Sequence, residues 1–277
     1  MFKRLMFGSA IAIAVIAGLV ALYVFRPPAE ASRPIEAIPI ATVAPVPTAA
    51  PAATAAPVAT TAPAPTEVAE TVEETEAAEP AEALAVASAE EPAAASSGPR
   101  IFEIVPSRSQ ARFLIDEVLR GSPFTVVGVT DQVAGQIAVD PSDPRGAQVG
   151  PILVNARTLA TDNGMRNRAI RNFILNTNAY EFVTFTPTSI DGLPEAVTVG
   201  QAFSFQISGD LTIKDTTRPV TFDVTVTPVS EDELVGSAST TILYRDFGLL
   251  IPDAPAVDTV ADEVRLELDF VAQPTAG

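Results

Sequence analysis

From Gln201 to Val226 the apolar side chains occupy every second position. Phe203, Phe205, Ile207, Gly209, Leu211 and Ile213 share one parity, and beyond Asp215-Thr216-Thr217-Arg218-Pro219 so do Val220, Phe222, Val224 and Val226. Successive side chains of a strand point to opposite faces, so this stretch predicts a hairpin with one apolar and one wet face. Pro219 has no amide proton to give to a ladder and is expected to open the second strand. The pattern returns at Val264, Leu266, Leu268 and Phe270, with Arg265, Glu267 and Asp269 on the other face. So much apolar face must be covered, either by the rest of the chain or by an apolar guest.

The same parity reading from Arg100 onward predicts strands over 102–105, 111–116, 125–130, 132–140, 152–158, 182–189, 202–214, 220–227, 233–244 and 263–272. Asp140-Pro141-Ser142-Asp143-Pro144 and Asp191-Gly192 are turn signals between them. Many short strands joined by tight turns make an all-β sandwich or barrel. Residues 162–176 break the alternation. Met165, Ile170, Phe173 and Ile174 fall at helical spacing there, with Arg166, Arg168 and Arg171 among them. Three guanidiniums so close could grip a phosphate or carboxylate head group. The alternative is a solvated face that pairs with the domain's acids.

Composition removes most catalytic options. The 277 residues contain no His, Cys or Trp, which takes away the usual general base near neutral pH, the commonest metal ligand and the thiol nucleophile. No cofactor or metal site is expected. The carboxylates Asp210, Asp215 and Asp246 are the remaining candidates for hydrolase or isomerase chemistry, but no spacing forces any two together. Turn chemistry explains Asp215, Arg218, Arg245 and Asp246 equally well. Gly248 is expected to supply a backbone conformation closed to other residues. The formal charge of −17 argues against nucleic acid and anionic surfaces as partners.

The N-terminal third is of another kind. Residues 5–25 form an uncharged apolar run behind Lys3-Arg4 and ahead of Arg26, long enough to cross a bilayer core of about 30 Å. Residues 1–26 are therefore read as a transmembrane signal anchor. A cleaved signal peptide is the rival, with Ala29-Glu30-Ala31 as its cleavage site; the length of the run and Pro27-Pro28 oppose it. Either reading delivers the rest of the chain outside the cytoplasm, to the periplasm or the exterior. Residues 27–99 are rich in Pro, Ala, Thr, Val and Glu, with no Lys or Arg between Arg33 and Arg100. That composition predicts a disordered linker, partly extended by its prolines and by the acidic stretch 67–91, which tethers a domain over residues 100–277.

Within that domain the order of several short pieces is informative. Arg166-Asn167, Ala169-Ile170-Arg171 and Leu175-Asn176-Thr177-Asn178-Ala179-Tyr180-Glu181-Phe182 come first; Gly209-Asp210-Leu211-Thr212-Ile213-Lys214 with Arg218-Pro219-Val220-Thr221-Phe222 follows; Arg245-Asp246-Phe247-Gly248 comes last. Together they resemble the YceI-like lipid/polyisoprenoid-binding proteins, and the resemblance covers about residues 100–272. It implies a lipocalin-like, extended antiparallel β-barrel whose apolar pore holds a polyisoprenoid or similar chain without catalysis. Asn167, Ala169-Ile170 and Glu181 depart from the family pattern, which often has Asp, His-Leu and Pro there, so no role of that acid or imidazole transfers.

Parity alone names an inward wall: Phe113, Ile115, Ile137, Val139, Phe185, Phe203, Phe205, Ile207, Phe222, Val224, Leu266 and Leu268. Parity leaves open which of Phe182 and Phe185 faces inward. These side chains are either the lining of a lipid pore or the packed core of a structural or protein-interaction barrel with no ligand. Polyisoprenoid, quinone or fatty-chain lipids are the expected guests. Arg166, Arg168 and Arg171 are the candidate head-group contacts. A mouth lined by Leu249, Leu250 and Ile251 could also support a homodimer.

Overall fold

In the computed structural model the described residues are 29–40, 99–255 and 257–275. The apolar run 5–25 and the stretch 41–98 lie outside them. Among the described residues no helix is long and apolar enough to cross a membrane.

One antiparallel sheet of twelve strands dominates. In chain order the strands are β1 (Arg100–Ile104), β2 (Gln110–Leu119), β3 (Ser122–Thr130), β4 (Val133–Ala134), β5 (Gln136–Asp140), β6 (Asp143–Val149), β7 (Ile152–Asn155), β8 (Phe182–Asp191), β9 (Phe203–Ile213), β10 (Thr216–Ser230), β11 (Glu233–Leu243) and β12 (Val257–Pro274). Strands β7 to β12 pair in sequence order, and β12 passes from β2 along its first part to β1 at its end. Only Gly135 separates β4 from β5, and this run pairs with β7 at Val133↔Val154 and with β1 at Phe102↔Ile137. The same length of chain thus joins both flanks, so the sheet curls round on itself.

The alternation between residues 201 and 226 becomes the β9–β10 hairpin, with Phe205↔Val224 and Ile207↔Phe222 in register. Its turn is tighter than the sequence suggests. Lys214 takes φ 58° beside Asp215, and β10 begins at Thr216. Pro219 therefore lies inside the strand, opposite Asp210, instead of opening it. β11 joins β10 only from Asp223 onward, so the proline sits where the strand has a single neighbour and its missing amide costs no ladder bond there.

Two further expectations change. β6, whose sequence DPRGAQV shows apolar alternation only at Ala147 and Val149, forms a strand paired only to β5. The strand expected over 152–158 stops at Asn155, whose side chain accepts the Arg157 amide and opens the helical turn Ala156–Thr158. Residues 162–176 contain α1 (Gly164–Ala169), capped by the Asn163 side chain on the amides of Met165 and Arg166, and then a wider π-type turn over Ile170–Ile174. After β11 the turn Tyr244–Phe247 ends on Gly248 at φ 64°, the left-handed conformation anticipated for it.

Residues 29–40 lie against the outside of the sheet. The amide of Ala29 donates to Asn178 Oδ1 at 3.0 Å, Ser32 binds Glu181, Ile35 is buried, and the amide of Ile40 donates to Gln136 Oε1 at 3.0 Å. This strap belongs to the stretch that composition reads as linker.

Candidate functional site

The curled sheet encloses a cavity of about 1320 Å³. That exceeds the 300–1,000 Å³ typical of small-molecule pockets. All of the side chains that parity assigns to the inward wall, from Phe113 on β2 to Leu268 on β12, line it. Phe185 faces inward and Phe182 does not. Phe113, Phe203, Phe205, Phe222, Leu266 and Leu268 are only half-buried although they point to the interior, because the space beside them is open. In a filled barrel they would be sealed by their neighbours.

Aromatic packing shapes the wall. Phe185 meets Phe222 edge-on with ring centroids 4.9 Å apart, and Phe203 stacks on Phe205 at 5.7 Å. The Phe113 ring lies flat over Gly128, its partner in register, so that a Cβ there would stand 2.0 Å from the ring. Phe270 covers Gly236 in the same way, at 2.5 Å. The eleven residues of β9 span about 37 Å at 3.4 Å each. A strand tilt of about 40° turns this into a wall roughly 28 Å tall.

Most of the charge collects at one end, although Arg112 and Glu267, paired at 3.0 Å between β2 and β12, line the cavity as well. Glu117 and Arg120 at the close of β2, Asn163 and Arg166 at the start of α1, and Asp253 in the β11–β12 loop all line the cavity. Arg166 pairs with buried Glu117 at 3.0 Å and with Asp162 at 2.6 Å, and its guanidinium lies over the Phe124 ring. The three arginines are not brought together. Arg166 alone lines the cavity, Arg171 donates to the carbonyls of Asn167 and Arg157, and Arg168 is exposed on the outer face. Met165 and Leu250, both on the cavity lining, are 79% and 80% exposed at this rim. Leu249 is buried and Ile251 half-buried beside them. Leu193, Val197 and Pro228 line the opposite end.

Sequence reasoning missed Glu117, which reads in isolation as an ordinary strand-end acid; its partner Arg166 lies 49 residues away. It also missed the contribution of Ile170, Ile174 and Leu175, whose helical segment closes one side of the cavity. Asp210, Asp215 and Asp246 do not line the cavity, and among the described residues no group of acids could hold a metal. Asp210 faces outward from β9, and Asp215 accepts from Tyr180 Oη at 3.4 Å at the hairpin turn.

An ion pair with both partners nearly buried lies outside the cavity. Arg157 meets Glu181 at 2.8 Å with both side chains nearly buried, at 12% and 11% exposure. Burial works against the Glu181 carboxylate, but hydrogen bonds from the hydroxyl and amide of Ser32 and from Asn155, with the charge of Arg157, outweigh it and hold its pKa below the ordinary value.

A family model described as the YceI-like domain matches residues 102–272. Solved structures similar to this chain include BcnA of Burkholderia cenocepacia, at 18% identity and a TM-score of 0.49, covering 61% of this chain and 99% of that one. A polyisoprenoid binding domain from Saccharophagus degradans, implicated in plant cell wall breakdown, shares 12% identity at a TM-score of 0.49 over 64% of this chain and 100% of that one. The YCEI protein of Campylobacter jejuni shares 16% at 0.43, over 52% and 82%. A search of curated proteins finds no match. With a matched domain that spans more than half of its length, the chain belongs to the YceI-like family.

Proposed function

We propose that this protein holds one long apolar chain, of polyisoprenoid, quinone or fatty type, inside its curled sheet, and that it does so without catalysis, outside the cytoplasm and anchored to a membrane by residues 1–26. The cavity carries this reading: about 1320 Å³ walled by Phe, Ile, Val and Leu, with most of its charged groups at one rim. An extended hydrocarbon of up to roughly 28 Å fits the height of the wall. Burying such a chain yields about 0.8 kcal/mol per methylene, so length alone gives useful affinity. Family membership supports the same chemistry. A structural barrel with a filled interior is disfavoured by the open space beside the half-buried phenylalanines. The test is displacement of a fluorescent long-chain fatty acid from the full-length protein by unlabelled isoprenoid alcohols of increasing length. Affinity that rises with length and then levels off supports the reading. Absence of any probe binding by protein first stripped of lipid would overturn it.

A further inference from the structure

The strap over residues 29–40 is bound to the sheet through its first residues. Its first residues are pinned at one point. Arg157 donates to the carbonyl of Glu30 at 3.2 Å and to Ser32 Oγ at 2.7 Å, Ser32 binds both carboxylate oxygens of Glu181, and Ala29 donates to Asn178. The same arginine holds the carbonyls of Thr177 and Asn178 at 2.8 and 3.2 Å, so strap and sheet share one clamp.

That clamp sits at the charged, open end of the cavity. Residues 177–181 follow directly on the helical segment that carries Met165. Tyr180 reaches Asp215 in the β9–β10 turn, and Arg218 next to that turn donates to the carbonyl of Asp246 at 3.0 Å, four residues before Leu250. Phe25, the last residue of the apolar run, is four steps from Ala29, at most about 14 Å of fully extended chain. The acidic, proline-rich stretch 41–98 comes after the strap and does not lie between the apolar run and the clamp.

We propose that the clamp seats the cavity mouth on the surface of the bilayer that residues 5–25 enter, with Met165 and Leu250 in contact with lipid, so that a guest passes from membrane to cavity without crossing water. This rests on the reading of residues 5–25 as a membrane span and on the lipid-holding function above. The occupant of the rim is lipid bilayer, because the short link from span to clamp leaves little room for anything else. Arg120, exposed on the cavity lining at this rim, forms no ion pair among the described residues and can meet a lipid phosphate.

The chain contains no tryptophan, so one introduced residue reports its own surroundings. Full-length protein carrying Leu250→Trp, Met165→Trp or, at the opposite end, Val199→Trp is reconstituted into phosphatidylcholine vesicles in which the acyl chains are brominated close to the head group. The expected result is loss of fluorescence at positions 250 and 165 and none at 199, and recovery at 250 when a long Gly/Ser insert is placed between Pro28 and Ala29. Equal quenching at all three positions, or none at 250 in protein that floats with the vesicles, overturns the seating. Failure to float with vesicles overturns the membrane-span reading and the seating with it, while fatty-acid probe binding in detergent would still stand for the cavity.

Discussion

At the scale of single residues, the cavity wall depends on close pairs between rings and glycines. Gly128 leaves room for the Phe113 ring, and any Cβ there must displace it. Gly128→Val is expected to cost about 1–3 kcal/mol of stability, read from the shift in urea midpoint, because strands on either side fix the ring in place. Phe205→Asp would put an unpaired carboxylate on an apolar wall and is expected to cost about 3 kcal/mol or more by the same measurement. If either variant unfolds at the wild-type midpoint, the inward wall is misassigned. This wall was legible in the sequence because the period of two assigns a face to each residue of a strand, as the run from Phe203 to Ile213 shows. The pairing of Arg166 with Glu117 was not, since two residues so far apart in sequence leave no local signature.

At the scale of elements, the strap is held chiefly by Glu181, a residue that departs from the family pattern. Its carboxylate has a pKa below the ordinary Glu value, so the docked form is fully stabilised above the ordinary value and loses stabilisation as the pH falls through the lower, docked value. Protection of the amides of residues 29–40, taken relative to the intrinsic exchange rate at each pH, should therefore fall on acidification below the ordinary carboxylate range before the sheet opens, and Glu181→Gln should show low protection there already at neutral pH. Unchanged protection in that variant would mean that Ile35 and Ile40 hold the strap without the clamp. The strap left a faint trace in the sequence: Ile35, Ile38 and Ile40 are the only isoleucines between Pro27 and Pro99. Overall composition masked them. β6 was missed for a different reason: only Ala147 and Val149 alternate onto the cavity along it, too short an apolar run to read as a strand. The position of Pro219 depended on where β11 begins to pair, a fact that no local pattern contains.

At the scale of the whole molecule, the question is whether the interior is a container. Parity could say which side chains point inward but not whether they meet, because strand number, tilt and curl decide the space between them. The structure supplies that space, and a guest that fills it should raise stability by mass action, visible as an upward shift in melting temperature when isoprenoid is added in excess. The most direct measurement is mass spectrometry of an organic extract from purified full-length protein, set beside a variant in which Ile207→Trp and Leu266→Trp fill the cavity. A long-chain apolar lipid in near-stoichiometric amount from the native protein, and little or none from a folded variant, is the predicted result. Equal amounts from both proteins, or none from the native one together with no uptake of added isoprenoid, would contradict the claim that the curled sheet holds a lipid.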